Sequence, residues 1–184
     1  MLSVRERGET VATLRWIQVR LMETIASWVP TTPEMEVKLL FGAHVWDLAQ
    51  HADALGKRTF ELRLPLQHSL EPTDPYKQLL ASLAQVKDTA ERVASFYDGV
   101  LVALAARYRN YLERTDRLLD APTVRILEHI GAEQARMIRE SQELRAELPA
   151  LVLSHSEPVG RFLDRERLLD TFVVHKPEHA TVGA

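Results

Sequence analysis

Apolar residues return at three- and four-residue steps over most of this chain, the spacing that gathers them on one face of an α-helix. Over residues 3–28 the stripe is Val11, Leu14, Leu21, Met22 and Ile25, with Gln18 set in its middle. The run VPTTPEMEV ends that helix and starts another, since Thr32 suits an N-cap, Pro33 the first helical position, and Glu34 and Glu36 the positive end of the dipole. A second helix is predicted over 33–55, closing near Gly56 with Lys57 and Arg58 at its negative end. Residues 59–75 hold three prolines and no helical period, so they read as a long connection. Asp74 and Pro75 then open a very long helix, to about residue 119, with Leu79, Leu83, Val86, Ala90, Val93, Tyr97, Leu101, Leu104, Tyr108 and Tyr111 on one face. Glycine weakens a helix interior, so a kink is expected at Gly99. Asp120 as cap and Pro122 in the first turn mark the last long helix, which Pro149 stops after about residue 148.

The prediction is an all-α fold: a helical bundle over 1–150, followed over 151–184 by a short helix near 158–170 and an extended tail. A chain of 184 residues with 46% hydrophobic and 27% charged positions supports one core. The net charge of -3, with arginines interleaved among Glu and Asp, provides no basic patch, so nucleic acid is not an expected partner. No apolar run approaches a membrane span, and the N-terminus reaches charge at Arg5 without a signal core, so a cytoplasmic protein is expected. The absence of cysteine removes disulfides, thiolate nucleophiles and Cys-type metal sites.

Candidate chemistry centres on FGAHVWDLAQHADALGKR, residues 41–58. Val37, Leu40, Phe41, His44, Leu48, His51 and Leu55 follow the helical rule, so both imidazoles face the core, with Asp47 flanking them. Neutral imidazoles beside a carboxylate are metal ligands, or polar core groups bonded to a facing carboxylate. Trp46 and Leu39 lie on the opposite side, so this helix has a second apolar face that another helix or another subunit has to cover.

Two long helices, a long crossover between helices two and three, then two more helices, with DAPTVRILEHIGAEQARMI opening the last, resemble the ferritin-like superfamily over about residues 5–148. The resemblance implies a four-helix bundle and, in metal-binding members, two iron or manganese ions held by Glu, Glu-x-x-His, Glu and Glu-x-x-His from the four helices. This chain departs from that set. Gln18 stands at the centre of the first stripe, helix two reads His44-x-x-Asp47, the third stripe is apolar or aromatic, and Arg136 follows three residues after Glu133. What the resemblance implies here is therefore a degenerate or absent di-metal set, its remaining candidates being His44, Asp47, His51, Glu128 and Glu133.

Three functional expectations follow. One is a metal-dependent oxidoreductase using those five residues with iron or manganese. Another is a non-catalytic bundle, a homodimer or a partner-binding module, whose polar core fixes helix register. The third is a bundle that holds a small apolar ligand, oriented by Gln18, His44 and His51.

Overall fold

In the computed structural model, which describes residues 2–153 and 157–167, the chain is all-helical and no strand occurs among the described residues. Helix α1 is Val4–Trp28, entered through a capping box in which the Ser3 hydroxyl accepts from the Glu6 backbone N–H while the Glu6 carboxylate accepts from that of Ser3. Helix α2 is Met35–Glu61, α3 Asp74–Ala84 and α4 Thr89–Ala94. A π-helical segment, Ser95–Val100, joins α4 to α5, Leu101–Arg114. Helix α6 is Ala121–Glu147 and α7 is Glu157–Arg167. No helix of the described chain is long and apolar enough to cross a membrane.

The core lies between α1, α2, the 89–114 rod and α6, filled by Leu14, Ile17, Leu21, Phe41, Leu48, Leu55, Leu101, Leu104, Leu127 and Met137. Side-chain pairs fix the directions. Trp28 meets Phe41 and Arg15 reaches Gln67 just past the end of α2, so α1 and α2 are antiparallel. His44 meets Glu140 whereas Arg58 meets Asp120, so α2 and α6 are antiparallel as well. Tyr97 bonds His44, and Tyr111 bonds the Asp120 that Arg58 also reaches, so the 89–114 rod runs in the same direction as α2. The chain between them must therefore return along the bundle. It does so beside α1: Leu64 lies against Gly8, the Leu70 N–H donates to the Ala12 carbonyl at 3.2 Å, and Arg92 reaches the Thr32 hydroxyl at the far end.

Three boundaries differ from the sequence reading. Helix α2 runs past Gly56 and ends in a Schellman arrangement, the Leu64 N–H on the Thr59 carbonyl and the Arg63 N–H on that of Phe60, with Arg63 itself at φ 65°. Gly56 is needed for another reason, since a Cβ there would collide with the side chains of Gln67 and Arg15. The single helix expected over 74–119 is two antiparallel pieces, because α3 travels with α1 and the rod travels back. Asp88 caps the restart, its carboxylate accepting from the Glu91 N–H at 2.9 Å. At the start of α2, Glu34 occupies the N-cap position and Thr32 instead donates to the Trp28 carbonyl at 2.9 Å.

Gly99, where a kink was expected, lies within the π segment, and Phe162 of α7 packs against that glycine. The short terminal helix falls within 157–167, while the tail expected beyond it lies outside the described residues, as do His155, His175 and His179.

Candidate functional site

Because α2 and α6 are antiparallel, residues spaced 44, 47, 51 on one can face residues spaced 140, 136, 133 on the other. They do, as a polar row along the seam. His44 is fully buried, its Nδ1 2.7 Å from the Tyr97 hydroxyl and its Nε2 2.8 Å from Glu140 Oε2. Burial pushes the Tyr97 phenol well above its ordinary range, so it stays protonated and donates to Nδ1. The imidazole proton then sits on Nε2 and donates to Glu140. Burial also lowers the His44 pKa, outweighing the pull of Glu140 and Asp47, and the ring is neutral. For Glu140 burial acts upward, but hydrogen bonds from His44 and Arg136 prevail and hold the carboxyl below its usual value.

His51 repeats the theme one layer on. Its Nε2 lies 2.7 Å from Glu133 Oε2, and burial again lowers its pKa against the attraction of Glu133 and Asp47. Its buried Nδ1 has no hydrogen-bond partner among the described residues. The exposed His129 approaches the same Glu133 oxygen at 3.3 Å.

Between the histidines sits Arg136. Its guanidinium donates to Asp47 Oδ2 at 2.8 Å and to Glu140 Oε1 at 3.0 Å, and lies 3.9 Å from Glu133. These bonds, that to Asp47 foremost, raise its already high pKa, so the charge is permanent. Three carboxylates thus share one guanidinium, and the row keeps a negative surplus.

Of the five expected ligands, the structure brings His51 and Glu133 into direct contact and sets Asp47 and His44 into the same row, each bonded to another group. Glu128 does not join; it is paired with Arg117 across the turn before α6. Among the described residues no group of three or more His, Asp and Glu side chains is arranged to hold a metal ion. The sequence reading missed Tyr97 and Glu140 as partners of His44. The mirrored spacing was the available signal, since Glu133, Arg136 and Glu140 sit at i, i+3 and i+7, a single face of α6.

Two further features complete the region. Gln18, in the middle of the α1 stripe, donates to the Tyr108 hydroxyl at 2.6 Å, while the Gln134 amide lies beside that hydroxyl outside hydrogen-bond geometry. A cleft of about 370 Å³ opens between α2 and α6, lined by Gln50, His51, Lys57, Arg125, His129 and Glu133. Ala54, Ile126 and Ile130 supply apolar surface to it, and of the three groups expected to orient an apolar ligand only His51 lines it, Gln18 and His44 lying elsewhere.

The outer side of α2 is the reverse of the row. Met35 is 61%, Leu39 68% and Trp46 65% exposed, with Gly42 and Ala43 exposed between them. Positions 35, 39, 42, 43 and 46 share one stripe, so the apolar residues form a continuous surface on the helix face opposite the core.

No family model, curated protein or solved structure matches this chain.

Proposed function

We propose that this is a ferritin-like helical bundle whose inward polar row fixes helix register instead of holding a di-metal centre, and that it works by docking a partner on the outer face of α2. The plan is supported by the helix directions: α1 against α2, a return connection beside α1, then a rod parallel to α2 and α6 against it. Arg136 supports the loss of the metal centre. Its guanidinium is ion-paired to Asp47 and Glu140 among the groups that a cation would need, and like charges oppose one another there.

The observation that carries the docking reading is the exposed stripe of Met35, Leu39 and Trp46. Single exposed apolar residues are ordinary, whereas the largest contiguous apolar patch of a monomer, about 300–600 Å², is often functional. The test is Leu39→Glu combined with Trp46→Glu. In dilute solution the double variant should unfold within about 0.5 kcal/mol of the parent, because neither side chain contributes to the core, and it should lose the association of the parent protein. A loss of about 2 kcal/mol or more would mean that the chain itself uses this face, and the docking reading falls.

A further inference from the structure

We infer that the occupant of the α2 face is a second copy of this chain, crossing antiparallel about a two-fold axis that passes between Gly42 and Ala43. The inference rests on the docking reading above and adds the partner and its register.

The first argument is symmetry of pattern. An isologous two-fold contact requires a surface complementary to itself, in which residue i of one copy meets j of the other and j meets i. For antiparallel helices centred between positions 42 and 43, Leu39 falls opposite the Trp46 of the second copy, and Trp46 opposite its Leu39. The two large exposed side chains are equidistant from the proposed axis, and the residues at the axis are the two small ones. Met35 likewise falls opposite Gln50, whose stem it can cover.

The second argument is space. A Cβ built on Gly42 meets nothing within 4 Å, so the glycine leaves room for another backbone to approach. Helix axes come closest where side chains at the crossing are small, and the large residues on either side then interdigitate. A glycine in the interior of an exposed helix face costs about 1 kcal/mol relative to alanine. Close approach at a crossing gives it a use.

The third argument is charge. Two antiparallel copies related by a two-fold axis bring the same flank of each helix together. Glu36 lies on the flank of α2 that carries Asp47, and Arg136, bonded to Asp47, stands beside that flank. Arg136 is at the level of positions 47 and 48, which the axis maps onto 38 and 37, one helical step from Glu36. Each exposed Glu36 is thereby set near the part-exposed Arg136 of the second copy, twice per dimer.

Area sets the strength. Met35, Leu39 and Trp46 offer about 400 Å² of apolar side chain per copy, half of the roughly 800 Å² per partner that a standard interface covers. Rim residues add polar area, so the dimer belongs in the micromolar range, with a Kd of about 1–100 µM.

The absence of cysteine from the whole chain makes the register testable in the full protein. Under mild oxidation Ala43→Cys should give a disulfide-linked dimer, since its counterpart lies across the axis. Leu39→Cys alone should not, because position 39 of the second copy is about 10 Å along the helix. A mixture of Leu39→Cys and Trp46→Cys chains should cross-link to each other. In sedimentation the parent should pass from monomer to dimer over the micromolar range, and Leu39→Glu should weaken that step at least about tenfold.

A monomer at every concentration up to several hundred micromolar overturns the inference, as would happen if a different protein or this chain's own C-terminal segment covers the face. So does a dimer in which Leu39→Cys links to itself, the mark of a parallel crossing. These failures are separate from that of the docking reading, which falls on the stability of the Leu39→Glu, Trp46→Glu variant.

Discussion

Asp120 is the most heavily engaged carboxylate of the chain's described residues. Fully buried, it accepts from Arg58 at 2.9 Å, Thr123 at 2.6 Å, Tyr111 at 2.7 Å and Thr115 at 2.9 Å. Burial alone would raise its pKa, but those donors together lower it, so the carboxylate is ionised against the buried Arg58. Asp120→Asn keeps the shape and removes the charge, leaving the Arg58 guanidinium short of its partner. The expected loss is about 3–5 kcal/mol in denaturant unfolding, whereas Thr115→Ala, which removes a single hydroxyl donor to Asp120, should cost about 1 kcal/mol. Equal losses for the two would mean that the charge is immaterial. Sequence pattern marks Asp120 as the start of a helix, which it is, and cannot reveal the rest, because Arg58 arrives from 62 positions away. His44 teaches the same lesson. Its inward direction was readable from the stripe on α2, but its hydroxyl partner depends on the rotation that the π segment gives Tyr97.

Among the elements, α1, α2 and α6 were legible because apolar residues recur at helical spacing along one face of each, while the Ser3 cap of α1 went unread. The break over 85–88 was not, since Val86 and Ala90 extend the stripe of α3 as though the helix went on. What divides them is direction, a property of the whole bundle that local spacing does not encode; the local trace is only Asp88 followed by Glu91. The end of α2 was misplaced for a related reason, glycine being read as a terminator when it serves a contact. That distinction has a measurable sign. On helix propensity alone Gly56→Ala should stabilise the protein by up to about 1 kcal/mol. The contact argument says the opposite. Gln67 is held beside Gly56 by its bonds to Arg15 and Asp53, at 2.9 Å each, and by its own N–H on the Gly56 carbonyl, so it cannot yield without breaking them. Gly56→Ala should therefore lose about 1–2 kcal/mol net. In Gly56→Ala with Gln67→Ala the two changes should be less than additive, since the obstacle is gone.

At the scale of the molecule, the polar row joins α2, α6 and the π segment through two neutral histidines, and this makes stability depend on acidity in a definite window. Both His44 and His51 have folded-state pKa values below the ordinary 6.5, burial being the leading cause in each. The unfolded chain therefore binds protons first as pH falls, and the native state is penalised where only the unfolded state is charged. Their contribution is complete above about pH 6.5 and is lost progressively below it, until the folded-state values are reached. Glu140 and Asp120, both held below the ordinary carboxylate range, add a separate loss at lower pH. Unfolding free energy measured in dilute solution should thus be flat from about pH 8 to 7 and decline as pH falls below about 6.5. The groups facing His44 are Tyr97, Glu140, Asp47 and Arg136, and those facing His51 are Glu133, Asp47 and His129, so the carboxylates moderate the decline without reversing it. Replacing both histidines by glutamine, which keeps an amide donor toward each glutamate, should lower stability at pH 7.5 and flatten the profile just below about pH 6.5. A parent profile with no decline there would mean that the rings are already protonated at neutral pH. They would then pair with Glu140 and Glu133 as cations, and the donation from Tyr97 to His44 would have to be reversed.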